Sequence, residues 1–196
     1  MKQARLAILV GPRGRGSNMR ALALACFAGE LTAEVAVVVS PRDGTPAVEW
    51  ARDHGITVTI LNPGSEGYAE RLLGALREAH VGWICLAGYL RLLPADVLRG
   101  FPQRVLNIHP ALLPRHGGKG MYGMKVHEAV LESGDSESGC TVHFVDERYD
   151  EGEIVHQLRC PVLSGDTPES LSERVLELEH LAYKQALQKL LNDGEE

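Results

Sequence analysis

No residue run in this chain is long and apolar enough to form a membrane-spanning helix. Met1–Arg5 leads into only a short apolar run followed by glycines and arginines, which reads as a first strand rather than a secretion signal. An excess of positive charge is also missing: the net charge of −6 argues against nonspecific nucleic-acid binding and leaves room only for a local basic pocket. The four cysteines, Cys26, Cys85, Cys140 and Cys160, are far apart and make no CxxC pair, so they read as buried, reduced thiols in a cytoplasmic protein. Zinc-protease HExxH, the GxSxG nucleophile elbow and a Ser-His-Asp signature are all absent. Metal-free chemistry without a covalent intermediate is the expectation.

What is present is one domain's worth of alternating elements, residues 1–196, with no internal repeat. Short apolar runs at Leu6–Val10, Val35–Val39, Ile56–Leu61, Trp83–Ala87 and Val105–Ile108 read as strands. Helical patterns lie between them at Asn18–Ala28, Pro46–His54 and Tyr68–His80, the last with Leu72, Leu73, Leu76 and Ala79 on one stripe. Continuous apolar strands separated by helices predict an α/β fold: an open, mostly parallel, twisted sheet in a three-layer αβα, Rossmann-like arrangement. Gly139–Val145 and Glu153–Val162 read as an antiparallel C-terminal edge. A final helix starts at Pro168 with Thr167 as N-cap and turns Leu171, Val175, Leu178, Leu181 and Ala182 to the core.

Two segments carry polar groups at strand ends. Gly11–Asn18 follows the first strand with three glycines and Arg13 and Arg15, a combination suited to a phosphate at a helix N-terminus. It is neither GxGxxG nor a P-loop, since no Lys follows Gly16, and the plain alternative is a turn with Ser17 or Asn18 capping the helix. Asn107 and His109 stand at the end of the fifth strand, where open α/β sheets bind ligands, and residues i and i+2 project to one side. An Asn amide can donate to an oxyanion and a histidine can shuttle a proton, so the pair suggests acyl-type transfer. Pro110 and Pro114 restrict the loop that follows, and Gly117–Gly123 is either a cover over the site or a surface loop. Asp150 belongs to a solvated acidic loop unless it folds back onto His109. His54, His80, His116 and His156 read as surface or helix-end residues, whereas His127, His143 and His180 are more interesting.

Together, Leu86–Pro94, Leu106–Pro114, Gly139–Val145 and Asp150–Gly152, in this order, resemble the formyltransferase family over nearly the whole chain. The resemblance implies formyl transfer from 10-formyltetrahydrofolate, as co-substrate, to the amine of glycinamide ribonucleotide in purine synthesis. It assigns Asn107 and His109 to the formyl oxygen, with Asp150 keeping His109 protonated. It assigns Gly16, Ser17, Asn18 and Glu179 to the ribonucleotide, and Leu90, Arg91, Leu92, Leu93 and Asn107 to the folate. Partners are then small molecules, with no metal, nucleic acid or membrane, and a homodimer is left open. Departures from the family pattern are the longer first loop, the longer Gly117–Gly123 loop, Lys125 in place of a histidine, and Ser65 in place of a basic residue. Lys119 is the substitute cation this suggests. Hydrolysis of the same donor, with water in the amine's place, is the runner-up, and a binding module without catalysis is the third reading.

Overall fold

The computed structural model describes residues 3–12 and 14–193; Arg13, drawn into the phosphate reading, lies outside them. Seven strands form one sheet: β1 (Ala4–Val10), β2 (Ala33–Ser40), β3 (Val58–Ile60), β4 (Trp83–Ala87), β5 (Val105–His109), β6 (Glu137–Phe144) and β7 (Ile154–Pro161). Their order is β3-β2-β1-β4-β5-β6-β7. The first five run parallel, and β6 and β7 add an antiparallel edge. The expected sheet is therefore the observed one, with Ile56–Leu61 shortened to three paired residues.

Helices cover both faces, because strands apolar on both sides need cover on both. On one face α1 (Ser17–Phe27), α2 (Pro46–Asp53), α5 (Met124–Glu132) and α6 (Pro168–Asp193) pack Met19, Leu22, Ala51, Val130, Leu171 and Val175 onto Leu6, Ile8 and Leu106. On the other, α3 (Tyr68–Glu78) and α4 (Ala95–Gly100) pack Leu72, Leu76 and Val97 onto Leu9, Ile84 and Leu86. Neither α4 nor α5 is anticipated by periodicity: α4 has six residues behind Pro94, and α5 begins behind a glycine run. In α6, Thr167 Oγ1 caps the first turn by accepting from the Ser170 N–H at 3.3 Å. Leu181 is a correction: it is 40% exposed, and Tyr183, Ala186 and Leu187 carry the apolar stripe onward instead.

The sheet's strand order reverses between β1 and β4, which opens a crevice at their C-terminal ends. The chain crosses there in close contact: a Cβ on Gly11 would stand 1.9 Å from the Gly88 carbonyl oxygen, so only glycine fits. Beneath it, the fully buried Tyr183 hydroxyl lies 3.1 Å from the Leu86 carbonyl and 3.0 Å from that of Leu106, linking α6 to β4 and β5. Tyr183→Phe is expected to lower the unfolding free energy by about 1–2 kcal/mol, since the hydroxyl's hydrogen bonding is lost in a dry core. Urea denaturation with an unchanged midpoint would contradict that.

Candidate active site

Strand β5 ends under the crevice, and its polar residues alternate with its apolar ones. Leu106 and Ile108 enter the core, whereas Asn107 and His109 share the opposite side. The antiparallel neighbour β6 sets His143 opposite Asn107 and Thr141 opposite His109. Thr141 then fixes the chain beyond His109: its hydroxyl donates to the Ala111 carbonyl at 2.6 Å and accepts from the Leu113 N–H at 3.1 Å. This is why a five-residue strand can aim two polar side chains firmly.

The tautomers follow from the partners. His143 Nδ1 is 2.8 Å from the Phe144 carbonyl, which only accepts, so Nδ1 carries the proton and Nε2 is bare. Nε2 accordingly accepts from Asn107 Nδ2 at 3.1 Å, leaving that amide a second N–H. His109 Nε2 is 2.8 Å from the His116 carbonyl and likewise holds a proton. Its other nitrogen, Nδ1, faces Asp150 Oδ2 at 3.5 Å. A ring between a carbonyl and a carboxylate satisfies both acceptors only as an imidazolium.

Asp150 is the third residue of this cluster. Its loop folds back through a left-handed turn at Asp150 itself (φ 58°). The carboxylate stands 3.6 Å from His143 Nε2 and accepts from the Gly118 N–H at 2.9 Å. Gly118 comes from the 117–123 loop, whose residues from Gly118 to Gly123 form part of the cavity wall. Burial pushes the Asp150 carboxyl up, but His143, His109 and the Gly118 N–H outweigh it and hold the group below the ordinary carboxylate range. For His109, burial is the largest influence and takes the imidazole below its ordinary value, against the opposing pull of Asp150 and the His116 carbonyl. Asp150 thus favours the charged form of His109 while desolvation opposes it.

The cavity holds about 450 Å³, a common size for a small-molecule site. Asn18, Asn107, His109, Asp150 and Glu179 all line it, as do Leu90, Arg91 and Leu92 beside Tyr89 and Tyr149. Asn18 donates to Glu179 at 2.6 Å, across 161 residues of sequence. Burial pushes the Glu179 carboxyl up to about 7, and the Asn18 hydrogen bond only partly offsets it.

Three anticipated residues sit elsewhere. Leu93 is 4% exposed and packs in the core beside α4, because the chain turns inward before Pro94. Gly16 and Ser17 are outside the cavity wall, at the start of α1. The capping alternative for that turn is also corrected. Gly16 is the N-cap, left-handed at φ 73°, and among the described residues no side-chain cap hydrogen bond closes the start of α1. Gly14 and Gly16 have a packing reason besides, since a Cβ on either would strike Thr45 or Ala47. Lys119 lines the cavity, whereas Ser65 lies outside its wall, where its hydroxyl accepts from the Arg71 guanidinium.

Sequence reasoning left His143 unassigned and put His116 at the surface. The first could have been found from the β5–β6 register, which pairs it with Asn107. Nothing local in the sequence signals that the second lends its carbonyl to His109.

The sequence profile of the family described as "Formyl transferase" matches residues 4–187, which takes in every residue named in the cavity wall. The chain belongs to the formyl transferase family. It is similar to the chloroplastic phosphoribosylglycinamide formyltransferase of Arabidopsis thaliana, at 44% identity over 93% of this chain and 63% of that protein. Its counterpart in Vigna unguiculata is 42% identical, over 98% of this chain and 62% of that protein. The chain thus spans just under two thirds of these curated relatives. The crystal structure of phosphoribosylglycinamide formyltransferase from Brucella melitensis matches with a TM-score of 0.86 and 39% identity, covering 96% of each chain. A formyl transferase site built this way makes a direct prediction for its carboxylate. Asp150→Asn is expected to lower the His109 pKa further, because the attraction that favours its charged form is removed. A histidine NMR titration of the variant that leaves the His109 midpoint in place would contradict the coupling.

Proposed function

We propose that this formyl transferase moves a formyl group from 10-formyltetrahydrofolate to the amine of glycinamide ribonucleotide, giving the formylated ribonucleotide and tetrahydrofolate. The observation that carries this reading is the convergence of Asn107, His109 and Asp150 on one cavity wall, with Asp150 3.5 Å from the bare nitrogen of His109. The first curated relatives are named for the same reaction, and the match with them lends support.

In this reading the amine attacks the formyl carbon directly. The second N–H of Asn107 Nδ2 donates to the developing oxyanion. His109 Nδ1, bare and facing the cavity, accepts the proton that the attacking amine sheds, and the resulting imidazolium donates to the same oxyanion. Asp150 stabilises that charge and passes the proton on to the folate nitrogen as the old C–N bond breaks. The new C–N bond and the lost one balance, as do the proton released and the proton delivered.

The cavity fits the two substrates by chemistry. Leu90, Leu92, Tyr89 and Tyr149 give an apolar wall suited to a flat pterin, and Arg91 and Lys119 give cations for an acidic tail. Asn18 and Glu179 meet the ribonucleotide, and the uncapped start of α1 at Gly16 and Ser17 favours its phosphate. We read residues 1–196 as one formyltransferase domain working on small molecules and free to pair as a homodimer. Four buried free thiols fit a reducing compartment such as the cytoplasm.

Supplying both substrates and following the formyl group tests the reading. Formylated ribonucleotide is expected, and His109→Ala is expected to lower its turnover by about 10² or more with folate binding kept. Release of formate at the same rate without the amine would replace transfer by hydrolysis. Near-normal turnover of the variant would remove His109 from the mechanism.

A further inference from the structure

Behind His109 lies a second His–Asp contact that the proposed chemistry does not use. His116 Nε2 lies 2.7 Å from Asp135 Oδ2, with both side chains largely buried. Asp135 also accepts from Arg115, and the hydrogen bonds of His116 and Arg115 hold its carboxyl below the ordinary range. His116 itself has a left-handed backbone (φ 55°), a conformation unfavourable for an ordinary side chain and sustained only where its surroundings enforce it. That backbone aims the 116 carbonyl at His109 Nε2, 2.8 Å away.

We propose that His116 and Asp135 are positioning residues for His109: the hydrogen bond between them pins residue 116 in its left-handed turn, and the turn presents the carbonyl that sets the His109 ring's tautomer and angle. Asp135 lies in the turn after α5, so the helix end is tied to the reacting centre through one side chain and one backbone group. The arrangement matches a general pattern in which an outer acceptor fixes the working nitrogen of a histidine by holding the other. A hydrogen bond to Nε2 leaves Nδ1 as the nitrogen that faces Asp150 and the cavity. With the carbonyl turned away, either nitrogen could carry the proton and the ring could swing. The charged and titratable groups around the pair are Arg115 beside Asp135, and Asp150, His143 and His127 beside His109.

The inference rests on His109 being at the reacting centre, and its test has a readout that needs no turnover. His116→Gly keeps the left-handed turn without strain but removes the tether; Asp135→Ala keeps His116 and removes its anchor; Asp135→Asn keeps an acceptor. In the first two, exchange of the His109 Nε2 proton, followed by NMR, is expected to quicken at least about tenfold. Their kcat per folded protein is expected to fall about 10- to 100-fold with KM within about twofold, the usual effect of losing an outer-shell partner. Asp135→Asn is expected to stay within about threefold of the parent in both. Unchanged proton exchange in His116→Gly overturns the proposal, even where Asp135→Ala fails to fold. Faster exchange with unchanged kcat also overturns it, since the tether would then not serve the reaction, whereas failure of His109 itself is read from His109→Ala.

Discussion

Asp150 brings a carboxylate into a wall that also holds two imidazoles, and much of the surrounding chain is arranged around keeping that charge there. A carboxylate out of water needs hydrogen-bond donors or positive charge at once. The Gly118 N–H supplies one donor at 2.9 Å, and His109 Nδ1, 3.5 Å away, becomes a second once it takes up a proton. The glycine loop is therefore tied to this cluster by the same bond that makes the carboxylate tolerable. Loss of Asp150 would release the loop as well as the histidine.

The fold makes this cluster affordable by assembling it from rigid parts. Asn107 and His109 are two residues apart on a central strand, and His143 is placed by an antiparallel register that admits no slip without turning β6 inside out. Only Asp150 and Gly118 come from loops. Burial, which gives the sheet its stability, also desolvates His109 and lowers its affinity for a proton. A neutral ring poised against a carboxylate is better suited to take up a proton during the reaction than to hold one beforehand.

Much of the scaffold was legible from pattern alone. Trp83–Ala87 is a strand over the residues its apolar run predicts, and β5 extends the predicted strand by just His109, because apolar runs buried on both faces leave no other reading. The short α4 and the glycine-preceded α5 were not legible, since six residues and a poor N-terminus carry almost no periodic signal. At the site, Asn107 and His109 could be paired by spacing. Asp150 could be attached only through family resemblance, because its approach depends on a left-handed turn and a distant amide. The contact from His116 is not legible for the same reason: a backbone carbonyl has no letter in the sequence, and this one reaches His109 from a left-handed turn.

The central claim is that Asp150 acts through His109, and a double-mutant cycle on turnover tests it most directly. His109→Ala, Asp150→Ala and the double variant are compared with the parent at one pH. If the two residues work as a unit, the double variant should be about as slow as His109→Ala alone, a strongly non-additive result. A double variant slowed by the product of the two single effects would mean that the residues act independently, and would contradict the account.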